Sequence, residues 1–132
     1  MTAVQPSTLL RIAPCDPDPT PHREGLAALT RDMHAGRVDT LVVIDANPAY
    51  AAPPELGFAK AMARVPMTVV ASRFADETSA RAQWLAPLSH PLEGWHDGRG
   101  PDGTTSIAQP LIRPLYDTRT SIEMIEIGRA HV

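Results

Sequence analysis

TLVVIDANPAYAAPPELGFAKAMARVPMTVVA, residues 40–71, decides the fold of this chain. Two β-branched apolar runs, residues 40–44 and 67–71, have the length of short buried strands. Between them, Phe58, Met62 and Val65 fall on one helical face with Leu56, Ala59 and Ala63 beside it. Pro53-Pro54-Glu55 opens that helix and Pro66 ends it. The connection is too long for a hairpin, so the unit reads as a right-handed parallel crossover.

The pattern extends in both directions. Upstream, Thr20, Pro21 and Glu24 mark a helix start, Leu26, Leu29 and Met33 share a face, and Gly36 supplies the stop. Downstream, Asp76 can cap a brief helix running through Gln83, and WLAPLS at 84–89 is a third short extended segment. The expected fold class is α/β: a partial parallel sheet with helices on its faces. A long structured loop region follows it, in which only TTSIAQ at 104–109 has strand character. A loop of that length is commonly functional or part of an interface.

The ends read differently from the middle. Four of the 14 prolines fall in PCDPDPTP at 14–21, so residues 1–20 are expected to be an extended linker. The terminal EIGRAHV, 126–132, reads as the translation of a common sequencing-library adapter joined to a helix that begins near Thr120. The natural chain is then expected to run on past about Ile125. The competing reading is a short helix ending at Gly128 with a basic tail. Three segments follow: 1–20 linker, 21–125 α/β fragment, 126–132 non-native tail.

Composition excludes several classes. With 43% hydrophobic and 20% charged residues the chain is that of a globular protein. Net charge is -3 and no Lys/Arg cluster exceeds two residues, so nucleic acid is not an expected partner. No apolar stretch approaches the roughly 20 residues that cross a bilayer, so direct membrane insertion is not expected. The one cysteine, Cys15, allows neither an internal disulfide nor a multi-thiolate cluster within these residues.

Candidate chemistry is sparse. Asn47 and Pro48 stand at the carboxyl end of a strand, where open α/β sheets bind ligands, yet the same pair can simply turn the chain into the next helix. ANPAYAAPPE has no glycine, and its prolines remove the N–H donors that a phosphate needs. His90, Glu93, His96 and Asp97 carry metal-ligand chemistry, but their spacing fits no helical two-ligand motif, and Pro91 with Gly94 blocks a helix. No metal site is therefore expected. Serines 72, 79, 89, 106 and 121 lack a Gly-x-Ser-x-Gly surround, which leaves an unrelated hydrolase without a motif. Asp97 and Asp102 flank Arg99 in a turn-rich stretch and are expected to pair locally. Trp84 is assigned to the core, and Trp95, with Arg99, to an interface.

Residues 36–125 carry a resemblance. Ala46-Asn47-Pro48, Glu77-Thr78, WLAP ending at Pro87, Glu93, Gly103 and Gln109 resemble the late α/β domain of molybdopterin oxidoreductases of the dimethyl-sulfoxide-reductase superfamily. Within it, DANPAY, DETS and LEGWHDGRGPDGTTSIAQPLIRPLY look like the fused molybdopterin-like and iron-sulfur subunit of bacterial alternative complex III, a quinol:cytochrome c oxidoreductase. The resemblance implies a scaffold region without the molybdenum cofactor and with no catalytic residues in this segment. It also implies iron-sulfur clusters on a downstream part, other subunits of a membrane respiratory complex as partners, and a place on the periplasmic side of the inner membrane. If the region is instead part of a true molybdenum-pterin enzyme, Asn47, Glu77 and Thr78 are the expected contacts to the guanine dinucleotide. Ala46, where that pattern favours glycine, speaks for the scaffold.

Overall fold

The computed structural model describes residues 22–100 and 103–130, side chains 127–130 excepted. The linker over 1–20, Cys15, the helix-start residues Thr20 and Pro21, Asp102, and the end of the 126–132 tail lie outside the described residues. The fold is α/β. Strands β1 (Thr40–Ile44), β2 (Met67–Ser72) and β3 (Trp84–Pro87) form a parallel sheet in the order β1-β2-β3.

Helix α1 (His22–His34) leads into β1 and ends as its sequence predicts. Gly36 takes a left-handed φ of 67°, the amide of Arg37 donates to the Asp32 carbonyl at 3.0 Å, and that of Gly36 donates to Met33 at 3.1 Å. Both bonds satisfy helix-end carbonyls that would otherwise lack partners, and only glycine enters that backbone region freely.

The crossover from β1 to β2 departs from the single helix expected. It is broken into α2 (Pro48–Ala51), a 3-10 turn (Pro54–Leu56) and α3 (Phe58–Met62). Pro53 and Pro54 have no N–H to continue α2, and Gly57, at φ 63°, resets the chain direction before α3. The apolar face survives the break. Phe58, Ala61, Met62 and Val65 bury against Leu41, Val43 and Val70 of the sheet and Met33 of α1. Likewise the helix expected from Asp76 to Gln83 is reduced to a 3-10 turn at Ser79–Arg81.

Alternation along the strands gives the sheet two unlike faces. Leu41 and Val43 point into the core, whereas Val42 is 57% exposed and Met67 44% exposed on the other side. Trp84, placed in the core by the sequence reading, is 65% exposed. Its register partners explain the difference: Trp84 lies beside Val69, which lies beside Val42, so all three share the face that α1 and α3 do not cover.

Past residue 90 the chain is more ordered than its composition suggested. His96–Arg99, β4, pairs antiparallel with Thr105–Ala108, β5, although HDGR carries no strand signature. The turn between them is closed by Gly100 N–H donating to the Thr104 carbonyl at 2.7 Å. A 3-10 turn at Pro91–Glu93 precedes this hairpin, and helix α4 (Ser121–Ala130) follows it. Thr120 and Glu123 cap α4 reciprocally: Thr120 N–H donates to Glu123 Oε2 at 2.7 Å, and Glu123 N–H to Thr120 Oγ1 at 3.2 Å. Among the described residues no helix is long and apolar enough to cross a membrane.

Candidate functional site

Strand polarity places the ends of β1, β2 and β3 on one side, and the residues singled out from the sequence collect there. Asn47 was expected either to meet a ligand or to turn the chain into a helix. It occupies the N-cap position of α2, but its side chain does not cap that helix. Instead Asn47 Nδ2 donates to Glu77 Oε2 at 2.7 Å, and Asn47 Oδ1 accepts from Thr78 Oγ1 at 2.6 Å. Thr78 Oγ1 in turn accepts from the Ala49 amide at 2.9 Å, so a residue from the β2–β3 connection supplies the cap of α2. Thr78 is fully buried at 0% exposure. The spacing Asn47, Glu77, Thr78 therefore reads as one strut tying two crossovers together.

The support under that strut is the loop after β2. Asp76 Oδ1 accepts from the amides of Ser79 (2.8 Å) and Thr78 (3.1 Å), which fixes Thr78 in place. The Ser79 amide is the main reason the Asp76 carboxyl is held below the ordinary aspartate range, with partial burial opposing it. Glu77 is also held low, first by the Asn47 amide. Both groups are thus carboxylates near neutral pH.

Beside this strut is a pair that spacing gave no means of finding. Asp45, directly after β1, has a φ of 49° and is the one non-glycine residue in the left-handed region among the described residues. Aspartate is among the residues that tolerate this conformation. Its amide still donates to the Ala71 carbonyl at 2.8 Å, and its carboxylate takes a two-pronged bond from Arg73 Nε (3.1 Å) and Nη2 (3.2 Å). The Arg73 guanidinium also stands over the Phe74 ring, 5.9 Å from its centre. The sharp turn of the chain is at Asp45, two residues before the Asn-Pro pair.

Two clefts adjoin. A small one of about 140 Å³ lies between Asp45, Arg73, Leu88 and His90. A larger one of about 590 Å³ is bounded by Trp95, Ile107, Pro110, Pro114 and Ile122, with Arg119 among its polar members. Its walls are the β4–β5 hairpin, α4 and the chain between them.

The metal-ligand types in this region are otherwise engaged. Glu93 is buried, with Oε2 accepting from the His90 amide (3.0 Å) and Oε1 from the Leu115 amide (3.3 Å). His90 Nδ1 accepts from the Leu92 amide at 3.2 Å, and His96 Nδ1 is 3.4 Å from the Gly94 carbonyl oxygen. No group of three His, Cys, Asp or Glu side chains converges among the described residues. Trp95, at 61% exposure, and Arg99 are both on the surface, Arg99 at the end of β4.

Chemically, the Asn47–Glu77–Thr78 strut is poorly fitted to a dinucleotide. Its hydroxyl and amide oxygen are consumed internally, and what remains outward is one Asn47 amide hydrogen beside a carboxylate, which repels phosphate. The strand order also does not reverse among the described strands, so they contain no topological switch point of the kind where such sheets bind nucleotides.

No family model matches the chain. Over 83 residues, 60% of its length, the chain is 36% identical to the menaquinone reductase, molybdopterin-binding-like subunit of Nitratidesulfovibrio vulgaris (strain Hildenborough). The match spans 12% of that relative. This likeness supports a molybdopterin-like oxidoreductase family for the chain.

Proposed function

We propose that this chain is a cofactor-free scaffold segment of a molybdopterin-like subunit that serves electron transfer in a membrane-associated respiratory complex working on the quinone pool. The observation that carries the reading is the closed strut: Asn47, Glu77 and Thr78, the residues that would have to greet a nucleotide, bond one another. The 36% identity to a menaquinone reductase subunit supports the quinone-linked setting. The finer reading is the iron-sulfur subunit of a quinol-oxidising complex of the alternative complex III kind, held on the periplasmic side of the bacterial inner membrane. Its clusters are carried on cysteine-rich chain outside these residues, and its partner subunits pack on the surface around Trp95 and Arg99.

Isolation of the native complex through an affinity tag on this subunit tests the proposal. Membrane subunits, iron and quinol-dependent electron transfer should be recovered together. Recovery of the tagged protein as a single soluble species without iron would contradict it. In the second reading, a true molybdenum enzyme, Asn47 must release Glu77 or Thr78 to contact a guanine dinucleotide.

A further inference from the structure

We propose that residues 8–13, TLLRIA, which precede the described residues, add to the outer edge of β1 as a fourth parallel strand, so that only the proline-rich residues 14–21 serve as linker. Asp39 and Asp45 turn their backbone groups towards β2: the Asp39 carbonyl accepts from the Met67 amide at 3.1 Å, and the Asp45 amide donates to the Ala71 carbonyl at 2.8 Å. The N–H and C=O of one strand residue point to the same side, and the side alternates along the strand. Those of Thr40, Val42 and Ile44 therefore point away from β2, and no described strand lies on that side.

Chain direction and handedness say which segment belongs there. Arg23 Nη2 donates to Glu55 Oε1 at 2.8 Å, which puts the start of α1 at the carboxyl end of β1. A strand that feeds α1 from that end runs parallel to β1. Crossovers between parallel strands are right-handed, and β1 reaches β2 over the face that carries α3. α1 packs on the same face. A crossover through α1 thus steps across the sheet in the same direction, and the strand before α1 falls on the far side of β1 from β2. Residues 14–21 reach about 26 Å when extended, ample for the climb from a strand end to a helix on the sheet's face.

The side chains agree. Leu10 and Ile12 share one face of the segment, and Leu9, Arg11 and Ala13 the other. With Leu10 beside Leu41 and Ile12 beside Val43, the first pair extends the core row beneath α1, where Leu26 and Leu29 are only partly buried. Arg11 then lies beside Val42, which is 57% exposed on the opposite face. Pro14, which has no N–H to donate, ends the strand level with Asp45, where β1 itself turns out of the sheet. The added strand converts an edge open to association into an interior one.

Hydrogen exchange on the full native chain, read amide by amide, is the first test. The Val42 and Ile44 amides should be protected like those of Leu41 and Val43. Ile12→Pro removes the donor that faces the Val42 carbonyl, and protection should be lost at Val42 and Ile44 while Leu41 and Val43 keep theirs. Rapid exchange at Val42 and Ile44 in the unsubstituted protein overturns the proposal, as does protection there that survives Ile12→Pro, because another strand then holds the edge. The neighbour is identified with Arg11→Cys and Val42→Cys in a Cys15→Ser background, treated with a short bis-maleimide. A link within one chain is expected. A product of doubled mass, the absence of a link, or a link from Arg11→Cys to Trp84→Cys on β3 each overturns the assignment.

Discussion

Residues 22–90 and residues 91–126 hold themselves together by different means. The first region buries a continuous apolar cluster from Met33 to Val70 between α1, α3 and the sheet. In the second, the one buried side chain among the described residues is a carboxylate, Glu93, while Trp95, Ile107, Leu111, Leu115 and Tyr116 face outward. Hydrophobic burial is the main stabilising contribution in the first region. The second is pinned by hydrogen bonds: Leu111 and Ile112 amides to the Leu92 carbonyl, Ser89 amide to Arg119, and two amides to Glu93. Its apolar residues are spent outward, the pattern of a surface made to be covered.

If that contrast holds, the largest single loss comes from the first region. Phe58→Ala should cost about 3–5 kcal/mol, read by urea unfolding, because it leaves a cavity between α3 and the sheet. A loss under about 1 kcal/mol would mean that the cluster is not closely packed.

Changes in the second region should be smaller and more local. Glu93→Ala strands the His90 and Leu115 amides and should cost about 1–3 kcal/mol. Hydrogen exchange should rise at His90 and Leu115 while the β1 and β2 amides stay protected. Gly94→Ala sharpens the same point, since a Cβ there would collide with Thr120 Cγ2 and must push aside the residue that caps α4. A loss of α4 helicity by circular dichroism, at about 1–3 kcal/mol, is the expected result.

The strut between the crossovers comes next. Thr78→Val keeps the volume but removes the oxygen that caps α2 and meets Asn47, for an expected cost of about 1–2 kcal/mol. Acid tests the support beneath it. Because the Asp76 carboxyl is held below its ordinary range in the fold, its stabilising share is fully present above the unfolded value. That share is lost as the pH falls below about 4 and through the folded value. Asp76→Asn should flatten that part of the stability–pH curve; an unchanged acid limb would contradict the assignment. The smallest effect belongs to the exposed Arg23–Glu55 pair, 2.8 Å apart. Arg23→Ala should shift stability by no more than about 1 kcal/mol.

The same contrast governs what could be read without a structure. β1, β2 and the stop at Gly36 were legible because a short continuous β-branched run has the length of a buried strand and a left-handed cap needs glycine. Trp84 was misplaced because a strand with two apolar faces does not say which one is covered. The hairpin strand His96–Arg99 was missed because its pairing is backbone-driven and leaves no apolar pattern. At the candidate site, Asn47, Glu77 and Thr78 were visible through their resemblance to a known pattern, and the structure brings all three together. Asp45 and Arg73, far apart in sequence, became visible only in space.

The central claim is that the strut is closed for structure and not for a nucleotide, and metal analysis of the intact native complex tests it most directly. The account predicts iron without stoichiometric molybdenum, and it predicts that Asn47→Ala changes only stability, by about 0.5–2 kcal/mol. Molybdenum near one atom per subunit, with a guanine dinucleotide released by acid and lowered occupancy in Asn47→Ala, would contradict it.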